Sequence, residues 1–152
     1  AALEQGARSL ALPVTRSGTY LVMEGPQFST KAESELYRSW GCSVIGMTNM
    51  PEAKLAREAE LCYATLAMVT DYDCWHPEHD HVTVEVVMQV LLANADRARS
   101  LVGAVMPDLG RPRGLCPCGC DRALDNAVVT ATHMRDPALV AKLDAVAGRV
   151  LA

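Results

Sequence analysis

The sequence is short of positive charge: 14 lysines and arginines stand against 18 aspartates and glutamates, leaving a net charge of −4. Nucleic acid and anionic membrane both favour a basic surface, so neither is expected as the main partner. No apolar run approaches the ~20 residues that a membrane-spanning helix needs. The first residues, Ala1-Ala2-Leu3-Glu4-Gln5-Gly6, lack the basic and then apolar stretch of a secretory signal, so a cytoplasmic protein is expected. No repeat or low-complexity segment appears, so the chain is not a repeat array. Phenylalanine occurs once, at Phe28, and a lone aromatic serves a core more often than a ligand platform.

What is present is apolar content of 50% in 152 residues, enough for one domain with a sizeable core. Six cysteines are also present, unevenly spread. Cys42, Cys62 and Cys74 sit in apolar segments, whereas Cys116, Cys118 and Cys120 cluster. An even spread would suit a secreted disulfide scaffold; this one, without a secretory signal, suggests reduced thiols.

Residues 1–9 read as the end of a helix, and 10–14 and 19–24 as short strands divided by Ser17-Gly18. Thr30 and Glu33 have capping-box spacing, which predicts an amphipathic helix running to about Trp40 and stopped by Gly41. Residues 43–47 form a compact apolar strand, and Pro51 suits the first turn of a helix reaching Glu60. The continuous apolar run 61–70 has the character of a strand buried on both faces, and 71–82 is a polar loop at its end. From Thr83 onward Val84, Val87, Met88, Leu91, Ala95, Ala98, Leu101 and Val102 recur at helical spacing, predicting a helix of about six turns. A loop broken by proline and glycine follows over 110–120, and two further helices are expected to finish the chain. The alternation of strand and helix implies an α/β fold with at least one parallel crossover.

Three stretches carry a more specific signal. They are Glu24-Gly25-Pro26-Gln27-Phe28-Ser29-Thr30-Lys31-Ala32-Glu33-Ser34, Gly46-Met47-Thr48-Asn49-Met50-Pro51-Glu52 and Ala67-Met68-Val69-Thr70-Asp71-Tyr72-Asp73-Cys74-Trp75. In this order and at these distances they resemble the signatures of 5'-methylthioadenosine phosphorylases, within the purine nucleoside phosphorylase family. The likeness runs from about Gly18 to Leu101. It implies a three-layer fold with a mixed central β-sheet flanked by helices, in a single domain that associates as a homotrimer. Family chains are roughly twice this length. On this resemblance residues 1–152 are the C-terminal half of one phosphorylase domain, ending in a cysteine-containing loop and helices over about 110–152. The family's N-terminal half supplies most of the phosphate site and has no counterpart here, so the chain is expected to turn over only with that missing half.

The implied reaction joins phosphate and 5'-methylthioadenosine to give adenine and 5-methylthioribose 1-phosphate, with phosphate as co-substrate and no cofactor or metal. The sugar carbon becomes cationic as the base leaves, as in glycoside hydrolysis. A donor at the purine's five-membered-ring nitrogen stabilises the departing base. The resemblance assigns that role to Asp71, which must be held protonated near neutral pH by burial or by the neighbouring Asp73. Asp73 would accept a hydrogen bond from the exocyclic amino group of adenine; a carboxylate suits a 6-amino purine and disfavours a 6-oxo one. Relatives preferring 6-oxo purines carry glutamate in place of Ser29 and asparagine in place of Asp71. Phe28 would pack on the base, Met47 against the sugar, and Thr48 would donate its hydroxyl to phosphate, with Thr70 also among the substrate-binding residues. Val82, Val84 and Val87 would wall the base and the methylthio group, favouring a thioether over a hydroxyl by roughly 1–3 kcal/mol.

Spacing alone leaves plainer readings of the same residues. Two aspartates after a buried strand serve as turn and cap residues, and Met47, Val84 and Val87 as core. The histidines His76, His79 and His81, with Glu78 and Asp80, mimic a metal cluster, yet such alternation suits a solvated loop or a mobile lid. Cys116, Cys118 and Cys120 lack a second pair for structural zinc unless isolated Cys62 or Cys74 supplies it, so free thiols are expected, with a disulfide to Cys62 as the alternative. A methylthioinosine phosphorylase and a non-catalytic fragment are the rival functions.

Overall fold

The computed structural model describes residues 1–76, 84–112 and 114–151. The elements in chain order are α1 (Ala2–Ser9), β1 (Tyr20–Val22), α2 (Lys31–Ser39), β2 (Val44–Gly46), α3 (Glu52–Glu58), α4 (Val84–Leu109) and α5 (Pro137–Leu151), with 3-10 turns at Cys120–Arg122 and Thr132–Met134. They form two compact units, Ala1–Met47 with Thr65–Arg111 and Thr48–Ala64 with Pro112–Ala152.

In the first unit β1 and β2 pair in parallel, with Tyr20 opposite Val44, Leu21 opposite Ile45 and Val22 opposite Gly46. Parallel strands need a crossover, and α2 supplies it, as the alternation of strand and helix in the sequence implies. The capping box at its start is reciprocal. The Thr30 hydroxyl accepts from the Glu33 N–H at 3.3 Å, and the Glu33 carboxylate accepts from the Thr30 N–H at 2.6 Å. Thr30→Ala should therefore cost about 1 kcal/mol, measured as a shift in urea unfolding, whereas Lys31→Ala should be near neutral.

Helix α1 lies against α4, where Ala7, Leu101 and Val105 are buried together. Gly6 permits the approach: a methyl group there would collide with Val105 Cγ2. Helix α4 is longer than its periodicity suggests, at 26 residues, because Pro107 is accommodated near its end. A proline there removes one hydrogen bond and is tolerated close to a terminus.

Three expectations are overturned. Residues 10–14 are not a strand. The Ala11 and Leu12 N–H groups are engaged by the carbonyls of Arg8 and Ala7, and Ala11 turns through φ 52, so the segment closes α1 instead of extending. The run 61–70 is extended but has no neighbouring strand among the described residues, and Leu61 and Val69 are exposed. An apolar run becomes a buried strand only where partners take its backbone groups; here the Asn94 amide donates to the Val69 carbonyl at 3.0 Å. Finally, the chain ends in one α-helix rather than two. The stretch before α5 is rich in Asp, Asn and Thr, whose side chains compete for backbone groups, and it forms 3-10 turns.

The second unit is tied by charge. Arg149 on α5 donates to both carboxylate oxygens of Glu60, at 2.8 and 2.5 Å, and to Asp125 at 2.5 Å. The Leu124 N–H adds a bond to Glu60 at 3.0 Å. The Arg149 hydrogen bond, followed by that from Leu124, draws the Glu60 carboxyl down from 4.5 to about 2. Its contribution to stability is present in full above the unfolded value near 4.5 and is lost as pH falls through about 2. Glu60→Gln should accordingly lower the melting temperature at neutral pH, and the gap to wild type should close as pH is brought to 2.

Candidate active site

The first unit gathers three of the sequence-predicted residues, Thr70, Asp71 and Asp73, at the end of the apolar run. Thr70 Oγ1 donates to Asp71 Oδ2 at 2.8 Å. The Asp73 N–H donates to Asp71 Oδ1 at 2.8 Å, an Asx turn that bends the backbone so that both carboxylates belong to one short loop. Asp73 itself lies at φ 61, a left-handed conformation that short polar side chains tolerate. Each Asp71 oxygen thus accepts one bond from the protein and keeps a lone pair for a ligand. Asp71 is exposed, so the described residues supply none of the burial expected of a proton-holding carboxyl.

Asp73 is anchored by α2. Ser34 Oγ donates to Asp73 Oδ2 at 2.5 Å, and Ser29 Oγ lies 3.4 Å from the same oxygen and 3.0 Å from Ser34 Oγ. The Cys74 N–H donates to Asp73 Oδ1 at 2.8 Å. Ser34 is 2% exposed, on the inward face of a helix whose other positions are mostly polar. Sequence reasoning gave Ser34 no role; the signal was a hydroxyl on that face, which burial obliges to find a partner. Arg38, one turn further on, stacks its guanidinium 3.6 Å above the Trp75 ring and steadies the far side of the loop. Tyr72 meets Trp75 edge-on, with ring centroids 6.3 Å apart.

Phe28 immediately precedes Ser29 and is 83% exposed, which removes the core reading of this aromatic. Met47 leaves β2 with its sulfur against Gly25, where an added Cβ would lie 2.6 Å from Sδ; with φ 71 as well, only glycine fits there. Thr48 is exposed and belongs to the second unit. Val82 lies outside the described residues, as do Glu78, His79, Asp80 and His81; Val84 and Val87 are on the first turns of α4, their side chains outside that set. His76 stands 4.9 Å from the Tyr72 ring, so this histidine joins an aromatic group.

The family description "Phosphorylase superfamily" matches residues 1–107. The chain belongs to that superfamily. Among curated relatives, an S-methyl-5'-thioadenosine phosphorylase of Cereibacter sphaeroides is 65% identical over 97% of this chain and 51% of its own length. The protein of that name from Rhodospirillum rubrum is 65% identical over 98% of this chain and 51% of its own. Among solved structures, a methylthioadenosine phosphorylase from an Antarctic soil metagenomic library is 39% identical with a TM-score of 0.81, covering 95% of this chain and 51% of that one. The Schistosoma mansoni methylthioadenosine phosphorylase, in complex with adenine, is 31% identical with a TM-score of 0.65, covering 74% of this chain and 45% of that one.

This superfamily chain therefore spans about half the length of the curated relatives it matches. Its α/β character is that of the superfamily. Among the described residues no helix is long and apolar enough to cross a membrane. Among the described residues, the His, Cys, Asp and Glu side chains that come close enough together to hold a metal ion are Cys62, Cys116 and Cys120, in the second unit.

Proposed function

We propose that this chain is the base- and methylthioribose-binding part of a phosphorylase that cleaves 5'-methylthioadenosine with phosphate, giving adenine and 5-methylthioribose 1-phosphate. The observation that carries the reading is the pair Asp71 and Asp73, joined by one Asx turn and anchored by Ser34 and Ser29. Asp73 takes the amino group of adenine. A glutamate at position 29 would face the Asp73 carboxylate at the distance now held by a serine hydroxyl, so Ser29 and Asp73 together select a 6-amino purine. Asp71, positioned by Thr70 and the Asp73 N–H, donates a carboxyl proton to the five-membered-ring nitrogen as the base departs. Phe28 packs on the base, Met47 on the sugar, and Val82, Val84 and Val87 line the methylthio pocket, while Thr48 donates to phosphate. The reaction needs no metal or cofactor.

The cover over Asp71 comes from bound substrate and from the part of the enzyme that lies outside residues 1–152. An open apolar groove of about 270 Å³ in the first unit, lined by Leu3, Leu66, Met68, Leu101, Val105 and Leu109 among others, offers that part an apolar surface to pack against. The complete unit assembles as a homotrimer in the cytoplasm. The test joins this chain to the N-terminal portion of its Cereibacter sphaeroides relative and measures phosphate-dependent release of adenine from 5'-methylthioadenosine. Release by the joined protein, with none by the chain alone, is the expected result. Preferential cleavage of 5'-methylthioinosine would overturn the substrate, and a folded joined protein without turnover would overturn the enzyme.

A further inference from the structure

The second unit brings together thiols that lie far apart in sequence. The Cys62 thiol donates to Cys116 Sγ at 3.4 Å across 54 positions. The sulfurs of Cys62, Cys116 and Cys120 all lie within 4.8 Å of one another, and no disulfide joins them. Of the two sequence-isolated cysteines that could join the loop, it is Cys62, in the segment after α3, that lies beside it, and the thiols are free. Gly119 turns the loop in the left-handed region at φ 65, so that Cys120 returns to the face carrying Cys116. The Gly119 N–H donates to the Cys116 carbonyl at 3.0 Å, closing the turn of the loop. The Asp121 carboxylate accepts from the Cys116 N–H at 3.4 Å, bracing the start of the loop.

We propose that Cys62, Cys116 and Cys120 form a three-thiolate site for a soft divalent cation of the zinc class. A tetrahedral ion with zinc–sulfur bonds of ~2.3 Å needs its sulfurs about 3.8 Å apart, and the three thiols already stand close to that spacing. The all-sulfur donor set selects zinc over magnesium or calcium, which prefer oxygen. Binding exchanges three S–H bonds for three metal–sulfur bonds, with three protons released to solvent and no change of oxidation state. Water completes the fourth position, and Cys118, exposed and outside the triad, is not a ligand. The ion clasps the segment after α3 to the loop before α5, within one unit, beside the Glu60–Arg149 tie. This site does not depend on the reading of the aspartate loop.

The test uses the full chain, reduced and free of oxygen, titrated with cobalt(II) as a spectroscopic stand-in and then with zinc(II). The expected result is a near-ultraviolet thiolate-to-cobalt charge-transfer band, with intense visible bands of tetrahedral cobalt, saturating at one ion per chain and bleached by zinc. Cys62→Ser, Cys116→Ser and Cys120→Ser should each weaken zinc binding at least tenfold, whereas Cys118→Ser and Cys42→Ser should bind as wild type. Bound zinc should also shield Cys62 of the unmutated chain from alkylation while Cys118 still reacts, read by peptide mass. Absence of the charge-transfer band, its survival in Cys62→Ser, or its loss in Cys118→Ser would overturn the site, and the first of these requires no variant to fold.

Discussion

Replacing Asp71 with asparagine in the joined, complete protein should lower kcat for 5'-methylthioadenosine by about 10²–10³-fold, the scale seen when one group facing the developing charge is removed. The substitution keeps the shape of the side chain. Its carbonyl oxygen still accepts the Asp73 N–H that now bonds to Asp71 Oδ1 at 2.8 Å, so the turn should survive. On the proposed reading, what is lost is the proton given to the leaving base. Asparagine donates a hydrogen bond but gives no proton to a departing adenine. Cleavage of 5'-methylthioinosine should fall less, because an amide complements a 6-oxo purine, so the ratio of the two rates should move toward the oxo substrate. Steady-state rates on both substrates, with substrate affinity measured separately, decide the point. Equal losses on both would assign Asp71 to holding the loop rather than to the leaving group.

Leu101→Ala should destabilise the chain by about 3 kcal/mol in urea unfolding, within the range for a buried leucine truncated in a core that cannot collapse around the gap. Leu101 is 2% exposed and sits over Gly6 at the crossing of α1 and α4. Its buried hydrophobic companions among the described residues are only Ala7 and Val105, so the loss is a large share of this small core. Val102, the next residue, is 59% exposed, and Val102→Ala should change stability by less than about 0.5 kcal/mol in the chain alone. Val102 also borders the apolar groove. If the N-terminal portion covers that groove in the joined protein, as proposed above, the cost of Val102→Ala should rise there by about 1 kcal/mol, the scale of a newly buried methyl group. An unchanged cost there would mean that the groove stays open to water.

Local chemistry was legible from residues alone. The capping box at Thr30 and Glu33, the helix ended near Trp40, the two short strands around it and the start of α3 after Pro51 all follow from interactions within a few positions, and all are present. The run 61–70 misled because its composition describes the neighbours it would need, and those neighbours are not among the described residues. The Asp71–Asp73 spacing was visible, but spacing could not distinguish a turn from a site. Ser34 escaped notice because a single serine on a helix carries no periodic signal. Spacing left open which of Cys62 and Cys74 could join the cysteine loop, because sequence distance hides a thiol 54 positions from its partner.

What the sequence by itself determined is the superfamily, the local elements, and the two carboxylates held one residue apart; these rest on short-range bonding and on motifs that need no fold to be read. The tertiary structure alone decided which groups meet across the chain. It set Ser34 and Ser29 of one segment on the Asp73 carboxylate of another, at 2.5 and 3.4 Å. It also closed Cys62 onto Cys116 and bound Glu60 to Arg149. The physical reason is common to all three. A buried hydroxyl, a thiol or a paired charge is stabilised by whichever partner packing delivers, and packing is settled by the whole chain.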